Sequence, residues 1–430
     1  MALNPESSDP DVRRTLDFLS SALSGYGERD FSVRLWDSTV LPAETAPPRF
    51  TLVLNHPGAL RRMLADPTSD LRIGEAYIYN DFDIEGDIEA VYPVAEYLAS
   101  RDWSWTDRLR LGWELLHLPG TGANRAGRQA ASVTGQPHTI DRDRQAISYH
   151  YDVSNDFYAL WLDSRLVYSC AYFENPADDL DAAQERKLEY ICRKLRLNEG
   201  ERLLDIGCGW GGLVVYAAQR YGVQALGITL SQPQAELASQ RIRQAGLQNL
   251  CRVEVRDYRQ IDDPGGFDKL VSVGMFEHVG EALLPVYFQK AWRLLKNGGV
   301  FLNHGIANNS SRPPQKSPTF SNRYVFPDGE LVPVHTSLLH AENTGFEVLD
   351  VENLRRHYAL TLRHWVRRLE ANRERALRFV DEPTYRIWRL FMSGSAYGFD
   401  AGYLNVFQSL LLKTEKGETG LPLTRADWYA

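Results

Sequence analysis

From Ile140 onward, short apolar runs alternate with longer stretches in which apolar positions recur at helical spacing. The runs predict strands at Arg202–Ile206, Ala225–Thr229, Arg252–Val255, Lys269–Val273 and Val300–Asn303. The longer stretches predict helices over Gln232–Ala245 and Glu281–Leu295, and over Ala183–Leu195, where Leu188, Ile191, Cys192 and Leu195 share a face. Alternation of this kind implies a parallel sheet with helices on both faces. Two late runs, Phe346–Val351 and Val406–Lys413, are expected to complete one edge as an antiparallel pair. Between them and the earlier strands, Asn308–Val334 is long, polar and rich in proline (Pro313, Pro314, Pro318, Pro327, Pro333), the texture of a functional lid.

Residues 1–118 read as a smaller α+β domain. It has a strand at Phe50–Asn55, a polar and aromatic segment at Arg72–Asp87, and an amphipathic helical stretch, Arg101–Leu118, carrying Trp103, Trp105, Leu109, Leu111, Trp113 and Leu116. Pro119–His138 is rich in Gly, Ala, Ser and Thr and has no acidic residue, so 119–139 reads as a linker to a larger α/β domain over 140–430.

The chain has 430 residues, enough for two domains, and an ordinary 43% apolar and 24% charged composition. Its net charge of −8 argues against nucleic acid as a partner and makes any basic surface local. No apolar run is long enough to span a bilayer, and the N-terminus lacks a signal-peptide pattern. The four cysteines, Cys170, Cys192, Cys208 and Cys251, have no metal-ligand spacing, so no metal is expected and a reduced, cytoplasmic setting fits best.

One motif carries chemistry. In RLLDIGCGWGG (202–212) an apolar strand ends at Asp205 and is followed by Gly207, Gly209, Gly211 and Gly212, then a helix. Such glycines allow a tight turn and close approach of a ligand to the backbone. A dinucleotide site would place an acid at the end of the second strand to hold a ribose. Thr229 stands there instead, in GITLSQPQ (227–234), and Gln234 is the amide able to meet ribose hydroxyls. At the third strand, Asp257 and Tyr258 are placed to meet an adenine.

Together HYDVSNDFY (150–158), YSCAYF (168–173), LDIGCGWGG (204–212), GITLSQPQ (227–234) and SVGMFEHVG (272–280) resemble the cyclopropane-fatty-acyl-phospholipid synthases and their mycolic acid relatives. The resemblance is strongest over about residues 140–310. It implies a seven-stranded, Rossmann-like S-adenosylmethionine-dependent methyltransferase sheet behind a smaller N-terminal α+β domain, residues 1–118, for which association with lipid or membrane is open. It implies S-adenosylmethionine contacts from Tyr168, Ser169, Gly207, Gly209, Thr229, Gln234 and Tyr258, to which the motif reading adds Asp205 and Asp257. It further implies a bound bicarbonate as catalytic base, held by Cys170, Glu277, His304, the backbone at Ile306 and Tyr358. The implied reaction adds a methylene across the cis double bond of an unsaturated phospholipid acyl chain, on a protein bound peripherally to the membrane. A methylene- or methyl-branched product, or small-molecule methylation, are the alternatives; homodimerisation stays open. The family often carries a second cysteine in a late helix. MSGSAYGF (392–399) has Ser395 there, and the reaction as read needs no protein nucleophile.

Plainer readings stand beside these. Glu277–His278 also suits the start of a helix, Cys170 a small buried hydrophobe, and His304 and Tyr358 ordinary packed side chains. The aromatic stretch from Tyr149 to Phe173 could line an acyl tunnel or be core. Arg355–Arg378 interleaves eight arginines with Leu360, Leu362, Trp365, Val366, Leu369 and Leu377, and reads either as an interfacial helix on anionic lipid or as a solvated face.

Overall fold

A computed structural model describes the chain apart from residues 1–8, 65, 67–68, 103, 121–124, 152, 312–317, 415 and 430, and apart from the Arg108 side chain. Trp103, Pro313, Pro314 and part of the expected linker therefore lie outside the described residues. The chain divides into two compact units, one of Met1–Ala130, Gln315–Val325 and Asp381–Tyr397, the other of Ala131–Pro314, Phe326–Val380 and Gly398–Ala430.

The first unit holds a four-stranded sheet in the order β2-β1-β3-β4, from β1 (Phe31–Arg34), β2 (Val40–Leu41), β3 (Phe50–Leu54) and β4 (Phe82–Gly86). Helices α1 (Pro10–Ala22), α2 (Ala59–Leu64), α3 (Asp70–Ile78), α4 (Val91–Ser100) and α5 (Trp105–His117) accompany it. Two segments distant in sequence join it, and the bonds that bind them leave no trace in local periodicity. From α16 (Glu382–Asp400), Arg386 reaches Asp83 at 2.6 Å and the Tyr77 carbonyl at 3.1 Å, and Ser393 meets Tyr92 at 2.8 Å. From α12 (Phe320–Tyr324), the Phe320 ring fills the space over Gly74, where a Cβ would sit 2.3 Å from it.

The second unit is built on a seven-stranded sheet in the order β10-β11-β9-β8-β5-β6-β7. Its strands are β5 (Arg202–Ile206), β6 (Gln224–Thr229), β7 (Cys251–Val255), β8 (Phe267–Val273), β9 (Leu295–Asn308), β10 (Glu347–Asn353) and β11 (Leu404–Leu412). β5 to β9 run parallel, while β11 lies antiparallel to both β9 and β10, as the two late apolar runs predict. β5 is buried on both faces, which is why it reads as a continuous apolar run rather than an alternation. Helices α8 (Leu180–Leu195) and α9 (Gly212–Tyr221) cover one face, where Ile191, Leu195, Leu203, Val271 and Leu302 share a core. Helix α11 (Leu284–Leu294) covers the other, against Leu204, Leu270, Phe301 and Leu411. The remaining helices are α6 (Ile140–Tyr151), α7 (Asn155–Ala159), α10 (Gln232–Gln244), α13 (Val334–Thr344), α14 (Arg355–Ala371) and α15 (Arg373–Ala376).

The interfacial-helix reading of Arg355–Arg378 is corrected. α14 buries Leu362, Trp365, Val366 and Leu369 in the protein, so it has no apolar face to offer a bilayer. Arg368 is held by Asp181 at 2.7 Å and by the Leu162 carbonyl at 2.9 Å, and Arg363 by Asp400 at 2.8 Å. The helix breaks at Asn372 before the stretch ends. Periodicity shows that a helix has an apolar stripe; it does not show what covers the stripe.

Candidate active site

The strand order reverses between β5 and β8: the chain steps outward through β6 and β7, then returns to the other side of β5. Loops at the carboxyl ends of the strands splay apart at such a switch point, and ligands bind there. Here they enclose a cleft whose empty space, open solvent at its mouth included, is about 1160 Å³.

Its floor is the glycine turn. Gly207, Gly209 and Gly211 all have left-handed backbone, with φ of 85°, 55° and 77°, which only glycine adopts without strain. The Gly207 and Cys208 amides both donate to the Ile228 carbonyl at 2.9 Å, pinning the turn to β6. A Cβ on Gly207 would strike Met275 at 2.6 Å, whereas one on Gly209 meets no protein atom and would project into open space. The space over Gly209 is thus free of protein atoms.

All nine residues expected to hold the cofactor line this one cleft: Tyr168, Ser169, Asp205, Gly207, Gly209, Thr229, Gln234, Asp257 and Tyr258. Thr229 Oγ1 donates to Gln234 Oε1 at 2.7 Å, which fixes the amide and keeps its NH₂ as a donor. Asp257 is less available than expected. Arg259 grips both its oxygens at 2.8 and 2.6 Å and also reaches Asp143 at 2.7 Å. Asp205 is buried, and burial, opposed by Lys187, raises its pKa to about 7.

Lys187 is the cleft residue that the sequence reading missed. It projects from the apolar face of α8, fully buried, and donates to Ser169 Oγ at 2.6 Å. Burial lowers its pKa to about 8, against the pull of Cys170, Asp163 and Asp205. A lysine in phase with Leu188 and Ile191 was the available signal, since lysine is almost never fully buried without a purpose. Arg259, which also lines the cleft, had no comparable signal, whereas Tyr151 belongs to the aromatic stretch that the sequence offered as a tunnel lining.

The five expected catalytic residues do not line the cleft; they gather beside it. Glu277 sits in a 3₁₀ turn, Phe276–His278, just after β8. Its Oε1 accepts from the Ile306 amide of β9 at 2.7 Å, while Oε2 is buried with no hydrogen-bond partner. The Ile306 N–H is therefore committed to Glu277. Burial raises the Glu277 pKa to about 7, the Ile306 bond opposing. The turn is itself anchored, since the Glu277 carbonyl accepts from Glu330 N at 3.0 Å. Tyr358 is held well above the usual phenol range, first by burial and then by the nearby Cys170, Glu277 and Tyr151. Cys170 bonds to the Leu354 carbonyl at 3.7 Å, and burial pushes its thiol up, so it is a neutral donor.

His304 lies two residues before Ile306 on the same face of β9. Gln408 Nε2 sits 3.2 Å from His304 Nδ1, and donation from that amide leaves the ring proton on Nε2, which is buried and without a partner. Burial, with Lys187 and Lys194 adding, holds the ring well below the usual histidine range and so neutral.

Aromatic rings close the space between cleft and turn. Tyr168 lies 5.2 Å from Trp365, 5.5 Å from Trp161 and 5.7 Å from His150, centroid to centroid. Phe326, from the long polar loop, stacks on His150 at 4.0 Å. Of the aromatic stretch, Phe157, Tyr158 and Trp161 are core residues; Tyr151 and Tyr168 face the cleft. Ser395 lies half-buried in α16, in the first unit.

A parallel sheet with an antiparallel edge pair, and a glycine-floored cleft at its switch point, define a Rossmann-like nucleoside-binding enzyme. The family model described as mycolic acid cyclopropane synthetase matches residues 138–409, and a domain of unknown function matches 18–100. A "probable fatty acid methyltransferase" of Pseudomonas putida is 40% identical over 403 residues, covering 92% of this chain and 95% of that protein. The cyclopropane-fatty-acyl-phospholipid synthase of Escherichia coli K12 is 37% identical over 276 residues, 64% of this chain and 69% of its own. The solved mycolic acid cyclopropane synthase CmaA1, complexed with SAH and CTAB, superposes with a TM-score of 0.59 at 34% identity, covering 62% of this chain and 97% of that one. The chain belongs to the mycolic acid cyclopropane synthetase family, and it is an S-adenosylmethionine-dependent methyltransferase.

Proposed function

We propose that this enzyme methylates the cis double bond of an unsaturated phospholipid acyl chain and closes the product to a cyclopropane ring. One observation carries the reading: the groups beside the cofactor cleft are neutral or half-charged, and aromatic rings surround them. Cys170, Tyr168 and Tyr358 are held protonated, and the Gln408 amide occupies the lone pair of the uncharged His304 ring at Nδ1, so none competes as a strong nucleophile for an electrophilic methyl. The rings of Tyr151 and Tyr168, which line the cleft, backed by Trp161 and Trp365, would exclude water and offer negative faces to a developing carbocation.

S-adenosylmethionine, when bound, supplies the methyl group. The cleft fits it: the open side of Gly209 accepts a ligand against the backbone, and Gln234, Asp257 and Tyr258 offer polar and flat contacts to a nucleoside. Ser169, fixed by Lys187, and Tyr168 would help to orient it, since near-attack geometry must supply much of the rate for so weak a nucleophile as an alkene.

The ring-closing step needs a base beside the cation. The unpartnered Glu277 Oε2 and His304 Nε2 fit a small anion such as bicarbonate, with the Tyr358 hydroxyl as a further donor. Glu277, with a pKa near 7, can carry the proton that lets it share that site. The Ile306 N–H, already given to Glu277, acts by holding the carboxyl in place.

The substrate reading also has the lipid-modifying enzymes among its relatives behind it. A methyl- or methylene-branched acyl product is the second reading, favoured by the similarity to a fatty acid methyltransferase over nearly the whole chain. No helix among the described residues is long and apolar enough to cross a membrane, so the enzyme would meet its substrate from the surface. Mass spectrometry of lipids from a host expressing the chain tests the proposal. Phospholipids that gain one methylene and lose an alkene support it; unchanged lipids with methylated small amines would remove it.

A further inference from the structure

Helix α5 presents an apolar face that nothing in its own unit covers. Trp105, Leu109, Trp113 and Leu116, three to four residues apart along one side, are 73%, 61%, 63% and 66% exposed. The helix is nonetheless well anchored. Ser104 Oγ caps its start by accepting from Asp107 N at 3.1 Å. At its end Leu118 is buried, with its carbonyl accepting from Arg61 at 3.2 Å. Soluble proteins scatter single apolar residues on their surfaces, but a contiguous stripe with two tryptophans marks a surface with a partner.

The chemistry around the stripe points to the partner. A shallow hollow is lined by Leu109, Trp113, Leu115 and Leu116 together with Arg61 and Arg110, and no carboxylate among the described residues lines it. Among the described residues Arg110 pairs with Asp107 across an exposed contact at 3.1 Å, an attraction of little strength. An apolar floor with a cationic rim matches acyl chains beneath anionic headgroups, and tryptophan favours the boundary between them. A second copy of the chain suits the face less well, because two-fold pairing sets the same arginine rim against itself.

We propose that α5 is the membrane-docking helix of this enzyme, lying on anionic phospholipid with Trp105 and Trp113 at headgroup level. The proposal deepens the previous reading and rests on it for the bilayer as the place where the substrate lies. It also relocates the docking surface from α14, whose apolar face is buried, to the first unit.

The test uses the full chain and vesicles of phosphatidylglycerol and phosphatidylcholine in flotation, comparing the parent with Trp105→Gln/Trp113→Gln and, separately, Leu109→Gln. These side chains are exposed, so melting temperature and S-adenosylmethionine affinity should match the parent and show that the fold is intact. Vesicle affinity should fall roughly 100-fold in the double variant and roughly tenfold in Leu109→Gln, and the parent should bind pure phosphatidylcholine more weakly than the mixed vesicles. Variants that float like the parent, or a parent that does not float, would overturn the proposal. If the parent sediments as a dimer and the double variant as a monomer with unchanged flotation, the face joins two copies and the proposal is likewise overturned. Methyl transfer to detergent-dispersed unsaturated lipid by the parent is scored separately, so a failed docking proposal and a failed substrate assignment give different results.

Discussion

Replacing Glu277 with Gln should make the enzyme more stable at neutral pH and nearly inactive. Glu277 is only 9% exposed, one of its oxygens has no partner, and its pKa rises from 4.5 to about 7. At ~1.4 kcal/mol per pKa unit, ionisation in the folded state costs about 3 kcal/mol relative to the unfolded chain. The sign follows from proton binding. Below pH 4.5 both states are protonated and there is no penalty; between 4.5 and about 7 the folded state keeps a proton that the unfolded state has lost, so stability falls as pH rises, and above 7 the loss is constant. Glutamine keeps an oxygen for the Ile306 amide and does not titrate. Its buried NH₂ costs about 1–3 kcal/mol if unpaired, but that cost is the same at every pH and drops out of the comparison. The melting temperature of Glu277→Gln relative to the parent should therefore climb between pH 4.5 and 7 by roughly 6 °C, at ~2 °C per kcal/mol for a domain of this size. Turnover should fall ~10²–10⁴-fold, the range for losing a positioned acid–base group, with S-adenosylmethionine affinity little changed. Calorimetric melts across pH with a radiolabelled-methyl assay measure all three. A melting difference that is flat with pH, or a variant with full turnover, would refute the reasoning.

Gly209→Val should fold with a small loss of stability, since a left-handed residue costs of order 1–3 kcal/mol, and lose S-adenosylmethionine binding in calorimetry; retained affinity would move the cofactor off the glycine turn. Lys187→Met should remove a buried charge whose pKa is lowered from 10.5 to about 8. The parent should gain stability as pH rises from 8 toward 10.5 and the variant should not, while cofactor affinity should drop because Ser169 loses its anchor; identical melts above pH 8 would show that Lys187 is not buried in charged form. Ser395→Ala should leave turnover within a few-fold of the parent, because the reaction needs no protein nucleophile; a ~100-fold loss would bring that position into the chemistry.

The catalytic sheet was legible because each strand is a short apolar run and each run ends in residues that a switch-point cleft needs. β5 through β8 fall within two residues of their expected bounds, and the glycine turn announces its own backbone conformation. β9 spans Leu295–Asn308, past both expected ends at Val300 and Asn303, because its start carries Lys296, Asn297 and two glycines, its far half mixes His304, Gly305 and Asn308 with Ile306 and Ala307, and its strand character comes from pairing with β11. The first unit was harder to read. Arg386 and Arg389 on α16 are buried against Asp83, Tyr77 and the Ile84 carbonyl, partners some three hundred residues away that no local pattern reveals. Lys187 escaped for a related reason: a charge on an apolar face reads as an interruption until Ser169 and the cleft are seen around it. α14 and α5 have similar stripes of Trp and Leu with Arg between, yet one stripe is core and the other surface. Composition alone cannot tell them apart.

Methyl transfer to an alkene followed by ring closure is the central claim, and one measurement addresses it directly. The purified chain is incubated with S-adenosylmethionine carrying a trideuterated methyl group and with vesicles of a cis-monounsaturated phosphatidylglycerol, and the lipid is analysed by mass spectrometry before and after ozonolysis. The product should gain a carbon with two deuterium atoms and resist ozone, the mark of a ring closed after loss of one deuteron from the methyl. A product that keeps all three deuterium atoms, or one still cleaved by ozone, would contradict that claim.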